Sequence, residues 1–272
     1  MKSSSRARAR PFISELRFLA ELDSSCVLPK AAWKLSEFWL REICILQDSQ
    51  NGGHKTRGKL YVVLVSPGSF NPPTYMHLRC FELARDAVNS QGLSVIGGYM
   101  SPVNDSYKKK GLIHAENRIA MCSLACQSSD FIMASQSTYQ RTLTVLSRVK
   151  TLLCESGVVT NESLKVMLVC GSDLLESFSI PGFWIREQVK TICRDFGLIC
   201  IRRGGQDVQS IISKDDILNE YKNDIIVVDE VVPNGISSTG LRDCISRGLS
   251  VKYLTADEVI DYIKQNGLYK PE

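Results

Sequence analysis

Histidine is scarce in this 272-residue chain: His54, His77 and His114 are the only three, and they stand far apart. No two of its ten cysteines have C-x-x-C spacing, so the usual ligand patterns of a structural zinc site are absent and no protein metal site is expected. No apolar stretch approaches the roughly 20 residues that span a bilayer, so a membrane role is not expected. The formal charge is +4, but residues 1–58 hold ten Lys/Arg against six Asp/Glu, and the remaining 23 basic and 23 acidic residues cancel. Such a balance argues against bulk nucleic-acid binding. Ser172 lies in CGSDL, which lacks the second glycine of a G-x-S-x-G nucleophile elbow, so serine hydrolysis is not supported.

With 44% hydrophobic residues, a chain of this length can bury one substantial core, or one core and an appendage. No secretory signal is read, and the cysteines are scattered through predicted helices and strands. They are therefore expected to be reduced core thiols. Residues 1–58 form an N-terminal extension ahead of a domain over 59–272. Its first ten residues carry four basic and no acidic side chains, superficially like an organellar presequence. The following acidic residues and two tryptophans, Trp33 and Trp39, weaken that reading. A targeting arm, a disordered tail and an artefact of how the coding sequence was assembled all stay open.

Residues 60–85 are the most informative stretch. Tyr61, Val62, Val63, Leu64 and Val65 form a continuous apolar run, expected of a strand buried on both faces of a parallel sheet. The turn Pro67, Gly68, Ser69, Phe70, Asn71, Pro72, Pro73 follows. Gly68 can take a positive φ and let an anion approach the backbone, and the prolines stiffen the exit. From about Thr74 the apolar positions Met76, Cys80, Phe81, Ala84 and Val88 return at helical spacing. Free N–H groups and the positive dipole end then face the turn, where a phosphate fits. His77 falls in the first helical turn, either capping the helix or donating to that anion.

Further strands are predicted over residues 93–99, 131–133, 166–170, 198–201 and 225–228. Helical patterns occupy 116–127, 136–154, 184–196, 211–221, 239–247 and 256–265, with Gly92, Gly197 and Gly248 suited to helix stops. The alternation predicts an α/β fold, a doubly wound Rossmann-like parallel sheet of about six strands. Ligands of such sheets bind beyond the carboxyl ends of the strands.

Four strand-end loops carry candidate chemistry. In SPVNDSYKKKGL, residues 101–112, an ammonium can neutralise a phosphate beside Tyr107, although a lysine run is more often a solvated face. In CGSDLLESF, residues 170–178, Asp173 reads as an N-cap or first-turn charge and Gly171 as a turn, roles that do not exclude binding. After the fifth strand come Arg202, Arg203, Gly204 and Gly205. In NGISSTGLRD, residues 234–243, Ser237, Ser238 and Thr239 open a helix with Arg242 one turn on, which reads as an N-cap or as a polyphosphate clamp.

The segment GSFNPPTYMH resembles the G-x-F-[DN]-P-x-[HT]-x-x-H signature of nucleotidyltransferases related to class I aminoacyl-tRNA synthetases. Within them the chain is similar, over residues 60–269, to the eukaryotic nicotinamide mononucleotide adenylyltransferase family, its plant form in particular. The resemblance implies adenylyl transfer from ATP to nicotinamide or nicotinic acid mononucleotide, giving NAD or its deamido form and pyrophosphate. It implies His77 and Arg242 as catalytic residues, with Gly68, Ser69 and Phe70 at the nucleotide. Tyr107 and Lys109 would contact the mononucleotide, and Gly171 and Asp173 the ribose hydroxyls. Trp184 would stack on the nicotinamide ring with Phe183 nearby, Arg203 and Asn234 would lie beside the dinucleotide, and Ser238 and Thr239 would hold the ATP phosphates. Mg²⁺ or another divalent cation would arrive with ATP. A homo-oligomer in nucleus or cytoplasm is expected, with organellar targeting by the extension left open. The chain departs from the family after residue 133: DFIMASQS runs directly where the family has a longer loop containing Trp-Glu. A shortened, catalytically impaired paralogue or splice product, binding nucleotide or oligomerising without turnover, is therefore the alternative.

Overall fold

Tyr61 to Val65 are buried without interruption, and their side chains feed two separate apolar clusters, Val63 and Val65 on one face of a sheet and Val62 and Leu64 on the other. A strand apolar on both faces must have helices above and below it. The computed structural model describes residues 60–107, 109–135, 141–155, 159–202 and 204–270. Among them six strands form one sheet: β1 (Tyr61–Gly68), β2 (Ser94–Pro102), β3 (Ile132–Ala134), β4 (Leu164–Gly171), β5 (Leu198–Ile201) and β6 (Ile225–Val228). Their order is β3-β2-β1-β4-β5-β6, and every neighbouring pair is parallel. The fold is thus the doubly wound Rossmann-like sheet that the alternation predicts, and the N-terminal extension lies outside the described residues.

The longer helices are α1 (Tyr75–Ser90), α2 (Ala115–Ala125), α3 (Thr142–Glu155), α8 (Ser238–Ser246) and α9 (Asp257–Gln265); α4 (Ser172–Ser177), α5 (Arg186–Thr191), α6 (Val208–Lys214) and α7 (Asp216–Glu220) are short. On one sheet face α1 inserts Phe81, Ala84 and Val88 into the cluster shared with Val62, Leu64 and Met100. Glycine is required opposite Phe81, because a Cβ on Gly98 would lie 2.8 Å from the ring. On the other face Leu146 and Val149 of α3 and Val189 of α5 pack against Val63, Val65 and Leu168. All eight cysteines among the described residues are free thiols. Burial pushes those of Cys126 and Cys193 up to about 12, so they are core groups rather than nucleophiles at neutral pH.

Two predicted helices are divided. The pattern over 184–196 becomes α5 followed by a single π-type segment, Ile192–Phe196, ended by Gly197 at φ +86°. The pattern over 211–221 breaks at Asp215, whose extended backbone stops α6 and whose carboxylate accepts from the N–H groups of Ile217 and Leu218 to start α7. Asp215 is almost fully buried, receives two hydrogen bonds from Arg186 at 2.7 and 3.1 Å, and receives a third from the Ser179 hydroxyl at 3.1 Å. Burial alone would raise its carboxyl pKa; the hydrogen bonds from Arg186, Leu218 and Ser179 outweigh it and hold the group below its ordinary 3.8.

That cluster makes a stability prediction. Asp215→Ala should destabilise the fold by about 2–3 kcal/mol, because a helix cap and charge-assisted hydrogen bonds are lost while the half-exposed Arg186 regains water. A depressed folded-state pKa stabilises above the unfolded value and loses that effect as pH falls through the folded one. The urea-unfolding gap between wild type and variant should therefore be constant at neutral pH and close only below pH about 4. A gap that persists in strong acid would contradict the ionic account.

Candidate active site

β1 and β4 pair only as far as Val65 and Leu168. Beyond that level β1 continues with β2 to Gly68 and β4 continues with β5 to Gly171. The two halves of the sheet part over their last three residues, which opens a crevice at the point where strand order reverses, the usual ligand position in such sheets. Pro67 sits in β1 at this level. It has no N–H to donate, and β1 there has no partner on the β4 side.

The turn after β1 forms one wall. The expected positive φ falls on Phe70 (φ 44°) and not on Gly68. The reason is packing: the buried Phe70 ring folds back over the strand end, and a Cβ on Gly68 would meet its Cζ at 2.9 Å. Gly68 is needed for that close approach instead of for a left-handed backbone. The same ring meets His77 edge-on, with centroids 5.1 Å apart. His77 does cap α1, its Nδ1 accepting from the Thr74 N–H at 2.9 Å and lying 2.8 Å from the Thr74 hydroxyl. Capping and donation are compatible. A backbone N–H can only donate, so Nδ1 is the acceptor and the neutral imidazole carries its proton on Nε2. The cap therefore sets the tautomer that makes the distal nitrogen a hydrogen-bond donor.

Two loops close on this turn from opposite sides. From the end of β2, Lys109 donates to the Ser69 hydroxyl at 3.4 Å, and the Asn71 side-chain amide donates to the Gly111 carbonyl at 2.8 Å. Tyr107 stands exposed on the same loop; Lys108 lies outside the described residues. From α8, Arg242 donates to the Asn71 carbonyl at 2.7 Å and to the Thr239 hydroxyl at 3.3 Å, and the Ser238 hydroxyl donates to the Pro72 carbonyl at 2.7 Å. Ser237 caps α8 by accepting from the Gly240 N–H, as an N-cap reading of the segment requires. The Asn234 side-chain oxygen accepts from the Ile236 N–H, which fixes the turn leading to α8. His77, Lys109, Thr239 and Arg242 are thus gathered around one turn, with cationic and hydroxyl donors facing a helix N-terminus.

Gly171 and Asp173 form the opposite wall. Gly171 ends β4 and precedes α4, and the Asp173 carboxylate, exposed in the first turn, accepts from the Gln206 amide at 3.2 Å. Trp184 is held by an indole N–H donated to the Ser177 hydroxyl at 2.9 Å and by an edge contact with Phe178, centroids 4.8 Å apart. Phe183 beside it is 60% exposed, an aromatic face open to solvent. Arg203 lies outside the described residues. So do residues 136–140 of the shortened junction between β3 and α3.

The structure adds residues that motif reading passes over. Asn71 is buried and binds three chain segments at once: besides Gly111 and Arg242, its side-chain oxygen accepts from the Tyr269 hydroxyl at 2.8 Å. Arg118, wholly buried on α2, donates to the Ser69 carbonyl. Its signal was present in the sequence, since Arg118 shares a helical stripe with Ala115, Cys122 and Ala125 and is the charge on an apolar face. Tyr269 carried no such signal, because its partner Asn71 lies 198 residues away. Among the described residues no three His, Cys, Asp or Glu side chains converge on a metal position.

Comparison with known proteins agrees with this geometry. Residues 65–243 match the cytidylyltransferase-like family. The chain is 65% identical over 222 residues to the nicotinamide/nicotinic acid mononucleotide adenylyltransferase of Arabidopsis thaliana, covering 80% of this chain and 93% of that protein. To the protein of that name from Oryza sativa subsp. japonica it is 61% identical over 213 residues, covering 76% of this chain and 86% of the relative. In fold it is similar to the Plasmodium falciparum nicotinic acid mononucleotide adenylyltransferase complexed with NaAD, with a TM-score of 0.53 and 19% identity, covering 77% of this chain and 97% of that one. Identity of 61–65% across most of both chains, on a sheet whose switch point carries the expected turn and helix, decides the matter: this chain belongs to the nicotinamide/nicotinic acid mononucleotide adenylyltransferases, a branch of the cytidylyltransferase-like family.

Proposed function

We propose that this chain is an enzyme that transfers the adenylyl group of ATP to nicotinamide or nicotinic acid mononucleotide, forming NAD or its deamido counterpart and releasing pyrophosphate. The observation that carries the reading is the convergence of His77, Lys109 and Arg242 on the single turn 68–74 at the switch point. A phosphate oxygen of the mononucleotide attacks the α-phosphorus of ATP, a P–O bond forms there, and the bond to the β-phosphate bridging oxygen breaks. No covalent enzyme intermediate is needed, so the protein acts by alignment and by stabilising charge on the α-phosphoryl and leaving oxygens. The Nε2–H of His77 and the guanidinium of Arg242 supply that charge stabilisation, with Ser238 and Thr239 at the opening of α8 beside the leaving phosphates. Lys109 and Tyr107 face the mononucleotide, Asp173 receives ribose hydroxyls, and Trp184 with Phe183 meets the ring. Magnesium is brought as part of the substrate, on the ATP phosphates.

Nothing in the fold or among the relatives supports the alternative of a chain that binds nucleotide without turnover. The short junction after β3 bears on affinity. The sequence there lacks the Trp-Glu of the resembling enzymes, an aromatic able to cover one face of a bound ring, so restoring the loop should lower the mononucleotide KM several-fold with kcat little changed. The test is to incubate purified protein with magnesium, ATP and either mononucleotide, and to quantify dinucleotide and pyrophosphate. Equal amounts of both support the reading. Folded protein that gives neither, before and after loop insertion, defeats it, and equal KM values with and without the loop defeat the affinity argument.

A further inference from the structure

Arg118 has no exposed surface, yet it is an always-charged side chain on a helix that faces the apolar core. Burying a guanidinium is unfavourable unless its donors are all engaged and its charge is matched. Here all three nitrogens donate, through four of the five N–H groups. Nε donates to the Ile113 carbonyl at 2.8 Å, Nη1 to the Ser69 carbonyl at 3.1 Å, and Nη2 to the Val103 carbonyl at 2.7 Å and the Asp105 carboxylate at 3.0 Å. The four acceptors belong to three separate places: the turn after β1, the beginning of the loop after β2, and that loop's end where it enters α2.

These are the segments that carry Ser69 and Phe70 on one side and Tyr107, Lys109 and Gly111 on the other. Arg118 makes more hydrogen bonds to the loop 103–113 than any other described side chain outside it. The loop's own side chains are largely exposed, and among the described residues its other tethers to the turn after β1 are the Asn71 amide to Gly111 carbonyl bond, the Ile113 N–H to Asn71 side-chain oxygen bond at 3.5 Å, the Val103 N–H to Gly68 carbonyl bond and the long Lys109 contact with Ser69. The fork of Arg118 is anchored from below by the rigid helix α2, so it fixes the distance between the anion turn and the loop that answers it.

We propose that Arg118, with Asp105 as its counter-charge, is a positioning residue for the mononucleotide half of the active site. It touches no substrate and acts through the placement of Ser69, Tyr107 and Lys109. This rests on the functional reading above for what the loop binds, but not for the claim that Arg118 holds the loop. A lysine at this position keeps the charge but cannot serve three segments from one planar fork. Three of the four hydrogen bonds of Arg118 go to the loop, so the effect of the change should fall chiefly on the loop side of the crevice. The ATP side has tethers of its own, from Ser238 and Arg242 of α8 to the Pro72 and Asn71 carbonyls.

The test uses the full chain with Arg118→Lys and Asp105→Asn, the second chosen because Asp105 is half-exposed and its replacement leaves α2 intact. Initial rates are measured against each substrate with the other saturating, and backbone hydrogen exchange is followed over the whole chain. The expected result is a mononucleotide KM raised about tenfold, with ATP KM and kcat within about twofold, since a displacement of the order of 1 Å in a positioned group has effects of this size or larger. Exchange should accelerate over residues 103–113 and stay unchanged over 238–246. A merely structural role for Arg118 would instead lower the melting temperature and the active fraction with both KM values unchanged, and that outcome overturns the proposal. So does unchanged exchange over 103–113 in a folded Asp105→Asn protein. If wild type forms no dinucleotide, the functional reading fails, while the exchange arm still decides whether Arg118 holds the loop.

Discussion

His77→Ala lowers kcat for dinucleotide formation by about 10²–10³-fold, the usual loss when one donor aimed at a developing oxyanion is removed. The same substitution also takes the acceptor away from the Thr74 N–H. Loss of such a cap costs about 1 kcal/mol, which lowers the melting temperature of a domain this size by only about 2–4 °C. The two effects differ so much in scale that they separate cleanly. A protein that is folded at the assay temperature and a hundred-fold slower has lost chemistry, not structure. Single-turnover rates with enzyme in excess, beside thermal melts, make the comparison. A variant that melts far below wild type and regains full turnover on cooling would return His77 to a capping role alone.

The second large effect is at Arg242. Its guanidinium already gives one hydrogen bond to the Asn71 carbonyl and a longer one to Thr239, leaving further N–H groups of the planar fork for an anion. Arg242→Ala should lower kcat/KM for ATP by about 10²–10³-fold, because both the held cation and the tether between α8 and the turn disappear. Arg242→Lys is the more informative change. An ammonium keeps the charge but cannot serve the Asn71 carbonyl and a phosphate with the same geometry, so about a tenfold or greater loss should remain. If lysine restores full activity, Arg242 acts as a point charge and its link to Asn71 is incidental. Steady-state kinetics against ATP at saturating mononucleotide distinguish the two.

These predictions show which parts of the molecule are written locally. β5 and β6 fall on residues 198–201 and 225–228 as the apolar runs suggest, because short strands buried on both faces leave no other reading. β1 runs three residues past its apolar core to Gly68, since its pairing with β2 continues after its pairing with β4 has stopped. That splay belongs to the sheet and to no single strand, so no periodicity reveals it. Helix division is also non-local in part: Asp215 breaks a continuous pattern because Arg186 and Ser179, distant in sequence, stabilise its buried carboxylate there.

The site divides in the same way. His77, Lys109, Ser238, Thr239 and Arg242 can be read because short motifs place them at strand ends and helix starts. Gly68 was legible as a special glycine but for the wrong reason; its missing Cβ makes room for the Phe70 ring, a contact visible only once the turn is folded. Asn71 and Arg118 each join several segments, some of them 40 or more residues away, and their importance emerges from the number of segments they join. Trp184 lies between: the sequence marks an aromatic, while the Ser177 and Phe178 contacts that fix its ring come from the fold.

The central claim is adenylyl transfer, and the label on ATP tests it most directly. With ATP labelled at the α-phosphorus, the label should pass into the dinucleotide; with the γ-phosphorus labelled, it should leave as pyrophosphate, and both transfers should be lost together in His77→Ala. Label from the γ-position released as inorganic phosphate, or α-label left in AMP with no dinucleotide formed, would contradict the account.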